Sequence, residues 1–170
     1  MDPDIQSAFC RSFRGKLYLR KASANTPLRL SRSDDKWSWG VTPEKDWLQA
    51  GGNQDSPTFS FHFDSASEDR LHYHITIPGP RKTIPGDPVP KKLGVSRNGY
   101  LGFYWVTDVT DYWKIEPLQM TAAGLICHWR DHRGYRVGAV KDSPHFERGE
   151  FSLLNVDEGE VLPFLLKPVS

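Results

Sequence analysis

The sequence contains no run of about 18 consecutive apolar residues, which is the length that a transmembrane helix requires. Residues 1–5 lack the basic segment and apolar stretch of a secretory signal peptide. No Asn-x-Ser/Thr acceptor for glycosylation occurs either, since Asn25-Thr26 is followed by Pro27. We therefore expect neither a leader nor a membrane span, and we expect a cytoplasmic location.

Cysteine is scarce, because Cys10 and Cys127 are the two cysteines among 170 residues. Two such residues cannot build the dense disulfide framework of a small secreted domain. Isolated cysteines in a cytosolic chain are commonly buried thiols, which is our interpretation of this pair. A single bridge between Cys10 and Cys127 stays open as the alternative.

An excess of charge of one sign is also missing, because 22 basic residues face 21 acidic residues and the net charge is +1. A surface that attracts polyanions everywhere is excluded by this balance, so we do not expect a nucleic-acid partner. The sequence has no Gly-x-Ser-x-Gly elbow, no phosphate-binding glycine loop and no His-Glu-x-x-His motif. These absences favour a non-catalytic protein without a cofactor.

Aromatic residues, glycine and proline are abundant, with 9 Phe, 6 Trp, 6 Tyr, 14 Gly and 13 Pro. The aromatic side chains supply bulk for a core, while glycine and proline divide the chain into short segments joined by turns. This composition predicts an all-β fold. A short helix over residues 3–13 is the exception, because Asp2 and Pro3 form a helix start signal.

Short segments with alternating apolar residues follow the helix, and their spacing repeats. Segments that begin at Leu17, Leu71 and Leu125 are separated by 54 residues each time. Segments that begin at Phe59, Trp113 and Phe164 are separated by 54 and 51 residues. A further pair of short strands is predicted between each opening and closing segment: residues 28–31 with 36–39, 93–96 with 100–104, and 135–138 with 151–154. The pattern indicates three units of four strands.

Three weakly similar units of about 50 residues resemble a β-trefoil. Residues 112–117 and 162–168 carry the resemblance best, since each matches the aromatic-x-(Ile/Leu)-x-Pro closing strand of many trefoils. The resemblance implies a closed barrel with pseudo-threefold symmetry, formed by a single domain over residues 16–170 after a helical extension at 1–15. Its units would span about 16–66, 70–118 and 124–169.

Trefoil proteins include lectins as well as Kunitz-type and mycocypin-like protease inhibitors, so the resemblance leaves the function open. Aromatic residues in the predicted loops favour lectin-like carbohydrate recognition, because an exposed ring stacks on the apolar face of a sugar. The Gln-x-Trp signature of ricin-type lectins is absent. The candidate ligand-binding residues are Trp37, Trp39, Trp47, Tyr104, Trp105, Asp108 and Tyr112.

Residues 76–92 form a proline-rich segment, which predicts a stiff and extended loop. Arg81 and Lys82 near its centre would suit the cleft of a trypsin-like protease, so protease inhibition is the first alternative function. A small-molecule enzyme built on the barrel is the second alternative. A deep pocket that encloses titratable residues would distinguish the enzyme from a surface binder.

Three histidines, His62, His72 and His74, alternate with apolar residues and are predicted to point to the outer face of two neighbouring strands. A symmetric hairpin would place His62 opposite His72, with His74 on the diagonal. Imidazole nitrogens at such distances can share a borderline metal ion, so these three residues are a candidate metal site. The alternative interpretation is that they are solvated surface imidazoles.

Overall fold

A computed structural model describes residues 1–31, 46–51, 55–79, 89–142 and 151–170. The described chain is built from antiparallel strands with one short α-helix, which confirms the all-β prediction. The strands are β1 Phe13–Lys21, β2 Ala24–Leu30, β3 Leu48–Ala50, β4 Phe59–Ala66, β5 Leu71–Ile77, β6 Lys91–Val95, β7 Leu101–Trp105, β8 Trp113–Thr121, β9 Gly124–Arg130, β10 Gly138–Asp142, β11 Phe151–Asn155, β12 Glu160–Val161 and β13 Phe164–Val169. None of the helices in these residues is long and apolar enough to cross a membrane.

Helix α1 spans Pro3–Phe9 and starts as the sequence predicts. The Asp2 carboxylate accepts a hydrogen bond of 2.8 Å from the backbone N–H of Asp4, which satisfies one of the free donors of the first turn. The helix ends before residue 13, because Phe13 already pairs as the first residue of β1. Its inner face buries Ile5 and Phe9 against the sheet.

Six strands form a closed ring of antiparallel pairs, in the order β1, β4, β5, β8, β9, β13 and back to β1. Each of these strands therefore has a partner on both sides, and the ring has no free edge. The pairs β2 with β3, β6 with β7 and β10 with β11 lie outside this ring. These three hairpins contact one another through the pairing of β3 with β11 and through two isolated bridges, Trp47 with Gly102 and Tyr100 with Asn155.

The inner strand pairs agree with the sequence in the middle unit and differ in the outer two. In the first unit β2 pairs with β3, and the predicted partner at residues 36–39 lies outside the described residues. In the third unit the pairing with β11 begins at Gly138, because the residues before it pair back onto β9 through Arg136 and Arg130. The sequence pattern located the hairpin of the middle unit and part of the third, and it did not predict β3 as the partner of β2.

The interior of the ring is filled by aromatic and aliphatic side chains. Trp113 and Trp129 are fully buried with ring centroids 6.3 Å apart, as the alternation of their strands predicts. The Trp113 indole N–H donates a hydrogen bond of 3.1 Å to the carbonyl oxygen of Leu93. Cys127 is buried and Cys10 is half-buried, and both are free thiols, so the alternative of a bridge between them is wrong.

Candidate functional site

Apart from Asp108, the predicted site residues that the structure describes lie in two surface clusters. The first cluster, called here the aromatic surface, comprises Asp46, Trp47, Lys91, Tyr100, Tyr104 and Trp105. The second cluster, called here the histidine cluster, comprises His62, His72, His74, Tyr112 and His132. Trp37 and Trp39 lie outside the described residues.

The aromatic surface is assembled by the hairpin of β6 and β7. Lys91 opens β6 directly opposite Trp105 at the end of β7, so the two side chains meet at the open end of the hairpin. Trp47 reaches the same hairpin from the first unit through its bridge to Gly102. A Cβ atom at Gly102 would lie 2.7 Å from the Trp47 ring, so only glycine allows the indole to lie against the strand.

Trp105 is the exposed aromatic of this surface, with 45% of its area accessible. The Lys91 ammonium lies 5.2 Å from the centroid of its indole ring. The same ammonium donates a hydrogen bond of 2.5 Å to the Asp46 carboxylate. An apolar ring, a fixed cation and a fixed carboxylate thus lie side by side, which is the combination that a polyhydroxylated ligand with an apolar face requires.

The other predicted aromatics of this surface lie deeper. Trp47 is half-buried and stacks on Tyr100 with centroids 4.8 Å apart, and Tyr104 is half-buried as well. Asp108 is exposed in the 3-10 helix Val106–Asp108, which follows β7 directly. The sequence pointed to Trp105 and missed the Lys91–Asp46 pair, because these two residues come from different units and no local pattern links them.

The histidine cluster starts from the pairing of β4 with β5. His62 lies opposite His74, and an irregularity between Phe63 and Ser65 places His72 opposite Ser65. The expectation that His62 faces His72 is therefore wrong, because the hairpin carries a bulge and is not symmetric. The predicted alternation itself is present, since His62 is exposed while His72 and His74 are half-buried between buried neighbours.

Each of these three imidazoles has its own hydrogen-bonding or ionic partner. His62 Nε2 lies 2.8 Å from the Thr76 hydroxyl, and His72 Nδ1 lies 3.0 Å from the Ser65 hydroxyl. His74 Nε2 lies 3.5 Å from a carboxylate oxygen of Asp64. Among the residues that the structure describes, no three His, Cys, Asp or Glu side chains are arranged to hold a metal ion. The metal site stays a prediction without geometric support.

Tyr112 lies at the centre of the histidine cluster. Its ring centroid is 5.3 Å from that of His72, 6.3 Å from that of His74 and 6.5 Å from that of His132. The Lys114 ammonium lies 5.9 Å from the same centroid. His132 follows β9 in the third unit, so the sequence, which linked histidines by strand alternation, could not place it here.

Asp111 joins the histidines of the second and third units. Its backbone oxygen lies 3.3 Å from His74 Nδ1, and its carboxylate lies 3.4 Å from His132 Nδ1. A carboxylate beside one imidazole and a carbonyl beside another hold both rings in place next to Tyr112. The cluster is therefore a fixed arrangement of side chains and not a set of independent surface residues.

Burial and neighbouring charges lower the pKa of two members of the cluster. Partial burial and then the neighbouring His74 lower the pKa of His62 below its ordinary value. Partial burial and then the Lys114 charge lower the pKa of His72. The hydrogen bond from Ser65 lowers the pKa of Asp64, so this carboxylate stays ionised well below neutral pH. At neutral pH the imidazoles of His62 and His72 are therefore uncharged, while the Asp64 carboxylate is negatively charged.

A cavity of about 430 Å³ lies beside helix α1. Its walls are formed by Met1, Asp2, Ile5, Asp69, Pro117, Leu118, Gln119 and Met120. Its two carboxylates have structural partners, since Asp2 caps the helix and Asp69 lies 3.8 Å from the Arg70 guanidinium. None of the predicted site residues lines this cavity, so it lends no support to the enzyme alternative.

The candidate inhibitor residues Arg81 and Lys82 lie outside the described residues. The inhibitor alternative therefore stays a prediction. Comparisons of the chain with protein-family models, with curated proteins and with solved structures give no match. The function must be argued from the chemistry of the sites themselves.

Proposed function

We propose that the chain is a β-trefoil protein that binds a glycan without catalysing a reaction on it. The ring of six strands supports the trefoil assignment, because it uses the first and last long strands of each predicted unit. The three hairpins outside the ring support it as well, since each comes from one unit and they contact one another. A closed barrel with a hairpin cap presents its loops as a rigid surface for a ligand.

The half-exposed Trp105 ring beside the Lys91–Asp46 ion pair is the observation that carries the glycan proposal. A sugar presents C–H groups on one face, which pack on an indole, and hydroxyl groups at its rim, which bond to charged side chains. The Asp46 carboxylate can accept from two hydroxyls, and the Lys91 ammonium can donate to a third oxygen. Both charges are held in place before the ligand arrives, which reduces the entropy lost on binding.

The test is a glycan array on the full chain, followed by a tryptophan fluorescence titration with the best ligand. Trp105→Ala is expected to lower the affinity about tenfold or more, because it removes the stacking ring. Tyr135→Ala is the matched control, since Tyr135 is 56% exposed and the Arg133 guanidinium lies 4.8 Å from its ring centroid. This second variant is expected to bind like the parent.

Two results would overturn the proposal. The first is an array on which the parent chain retains no glycan. The second is an equal affinity in the parent, Trp105→Ala and Tyr135→Ala, which would remove the aromatic surface from recognition. Asp46→Asn adds a second readout, because it keeps the shape and removes the negative charge that holds Lys91. We expect it to weaken binding severalfold while Trp105 keeps its exposed ring.

A further inference from the structure

The histidine cluster lies on the outer wall of the ring, where three separate segments meet. His62 comes from β4, His72 and His74 come from β5, and His132 comes from the turn after β9. Tyr112 precedes β8 and is half-buried among three of these rings. Three imidazoles around one phenol ring, with His62 opposite His74 on the neighbouring strand, are a chemical arrangement that the proposed glycan site at Trp105 does not use.

We propose that the histidine cluster is a second binding surface, which holds carboxylated or sulfated saccharides at mildly acidic pH and releases them near neutral pH. The saccharide class rests on the proposed function of the chain. The preference for an anion and its dependence on pH rest on the cluster alone. Tyr112 supplies a ring for the apolar face of the sugar, and protonated imidazoles supply hydrogen-bond donors with positive charge for its anionic group.

The charges that face the cluster balance one another while the histidines are neutral. On the two strands that carry histidines, their connecting turn and the elements packed against them, the cations are Arg70, Lys92 and Lys114, and the carboxylates are Asp64, Glu68, Asp69 and Asp111. Beside them, Glu116 on β8 pairs with Arg130 on β9 and with Arg136, which precedes β10. Arg14 on β1 lies opposite Ser60, which precedes His62 by two residues on β4. Protonation of His62 and His72 therefore turns a nearly balanced surface into a positive one.

Lys92 is a further cation that interacts with the carboxylates of the cluster. It is only 7% exposed, and its ammonium donates a hydrogen bond of 3.1 Å to the carbonyl oxygen of Val109. Asp111 and Asp64 are the charges that favour its protonated form, while burial opposes it and lowers its pKa. A buried ammonium so close to both carboxylates offsets their charge, which leaves less negative potential to repel an anion at the surface.

The lowered pKa values of His62 and His72 fit the direction of this pH dependence. Both groups remain neutral at pH 7 and gain their charge below the ordinary range of histidine, near 6.5. An anion bound beside them favours the charged form and raises both pKa values. Ligand binding and proton uptake are therefore coupled, and each strengthens the other.

The experiment is isothermal titration of the full chain with glucuronic acid and with a glucose sulfate monoester, at about pH 5 and about pH 7.5. Glucose serves as a probe that carries only the sugar ring, and inorganic sulfate serves as a probe that carries only the anionic group. We expect at least one anionic sugar to bind about tenfold tighter at the lower pH. Glucose is expected to show no such pH dependence, and inorganic sulfate is expected to bind more weakly than the sulfated sugar.

The variant His72→Gln is expected to remove most of the gain in affinity at low pH. Tyr112→Ala is expected to lower the affinity for the anionic sugar and to leave the affinity for inorganic sulfate unchanged. His128→Gln is the matched control. His128 is a half-buried histidine on β9 that lies opposite Glu116 on β8, and it makes no ring contact with Tyr112. Its binding at both pH values is expected to equal that of the parent.

Several outcomes overturn the proposal: affinities that do not change with pH, an equal loss in His128→Gln and His72→Gln, or inorganic sulfate that binds as tightly as the sulfated sugar. Trp105→Ala separates this proposal from the first one. Acid-dependent binding that survives Trp105→Ala supports a second site even if the array shows no glycan at the aromatic surface. If Trp105→Ala loses the acid-dependent binding, the chain has one saccharide site and not two.

Discussion

The hydroxyl group of Tyr73 donates a hydrogen bond to the backbone carbonyl oxygen of Phe9, across 64 residues of sequence. Tyr73 is fully buried in β5, and its ring contacts Phe13 and Phe61 edge to face with centroids 5.6 and 5.8 Å away. Burial raises the pKa of Tyr73, so the hydroxyl is protonated at neutral pH and can donate. The bond attaches helix α1 to the wall of the barrel.

Tyr73→Phe is expected to lower the free energy of unfolding by about 0.5–1.5 kcal/mol, which is the net contribution of one neutral hydrogen bond. The loss stays moderate, because the Arg11 backbone N–H also donates to the Phe9 carbonyl oxygen, at 2.7 Å. Urea unfolding followed by circular dichroism measures this difference. Tyr135→Phe is the control, since Tyr135 is exposed and its replacement should not change stability. Equal stability of both variants and the parent would contradict the role of this hydrogen bond.

Gly124→Ala is expected to be strongly destabilising, because two independent requirements select glycine at this turn. Gly124 has a φ of 142°, and a Cβ atom there would lie 2.3 Å from the Leu166 carbonyl oxygen. Gly134→Ala is the control, because Gly134 has a φ of 98° but open space where a Cβ would lie. We expect Gly124→Ala to cost about 1–3 kcal/mol more than the control, measured by chemical unfolding. Equal losses of unfolding free energy in the two variants would show that the Leu166 backbone moves away from the added Cβ atom at no cost in stability.

The two thiols are expected to differ in reactivity. Burial raises the pKa of Cys127 to about 12, so almost no thiolate forms at pH 8, whereas Cys10 is half-buried. A disulfide reagent should therefore label Cys10 in the folded chain and leave Cys127 unlabelled. In Cys10→Ser the labelling rate should fall about 100-fold or more until denaturant is added. Rapid labelling of folded Cys10→Ser would mean that the barrel opens far more often than a packed core allows.

Stability is expected to decrease as the pH falls from about 7 to about 5. His62 and His72 have folded-state pKa values below their ordinary range, so in this window the unfolded chain binds more protons than the folded chain. Their contribution is fully present above an unfolded pKa near 6.5 and is lost as the pH falls through the folded values. The carboxylates with lowered pKa values, Asp55, Asp64 and Glu116, lose their contribution only at lower pH.

Urea unfolding at both pH values measures this decrease, and His72→Gln should show a smaller decrease than the parent. A saturating anionic sugar should reverse part of it, because the ligand of the histidine cluster favours the protonated folded form. An increase in stability of the parent between about pH 7 and about pH 5 would contradict both pKa shifts.

Local sequence signals predicted the start of the helix and the six strands of the ring, but not the short strands β3 and β12. Asp2 and Pro3 start a helix because a side-chain acceptor and a fixed φ act within one turn. Alternating apolar residues place Trp113, Trp129 and Tyr73 inside, because side chains on a strand point to opposite faces in turn. Period-two alternation also pointed His62, His72 and His74 outward without knowledge of their partners.

The tertiary structure alone decided which of these elements and side chains meet. A bulge after Phe63 paired His62 with His74, and no periodic pattern encodes one inserted residue. Closure of the ring brought His132 to Tyr112, and the hairpin contacts brought Asp46 to Lys91. Both candidate sites arise from such long-range contacts. Their geometry depends on the register of every strand pair around the ring. The sequence pattern specifies only the face on which each side chain lies.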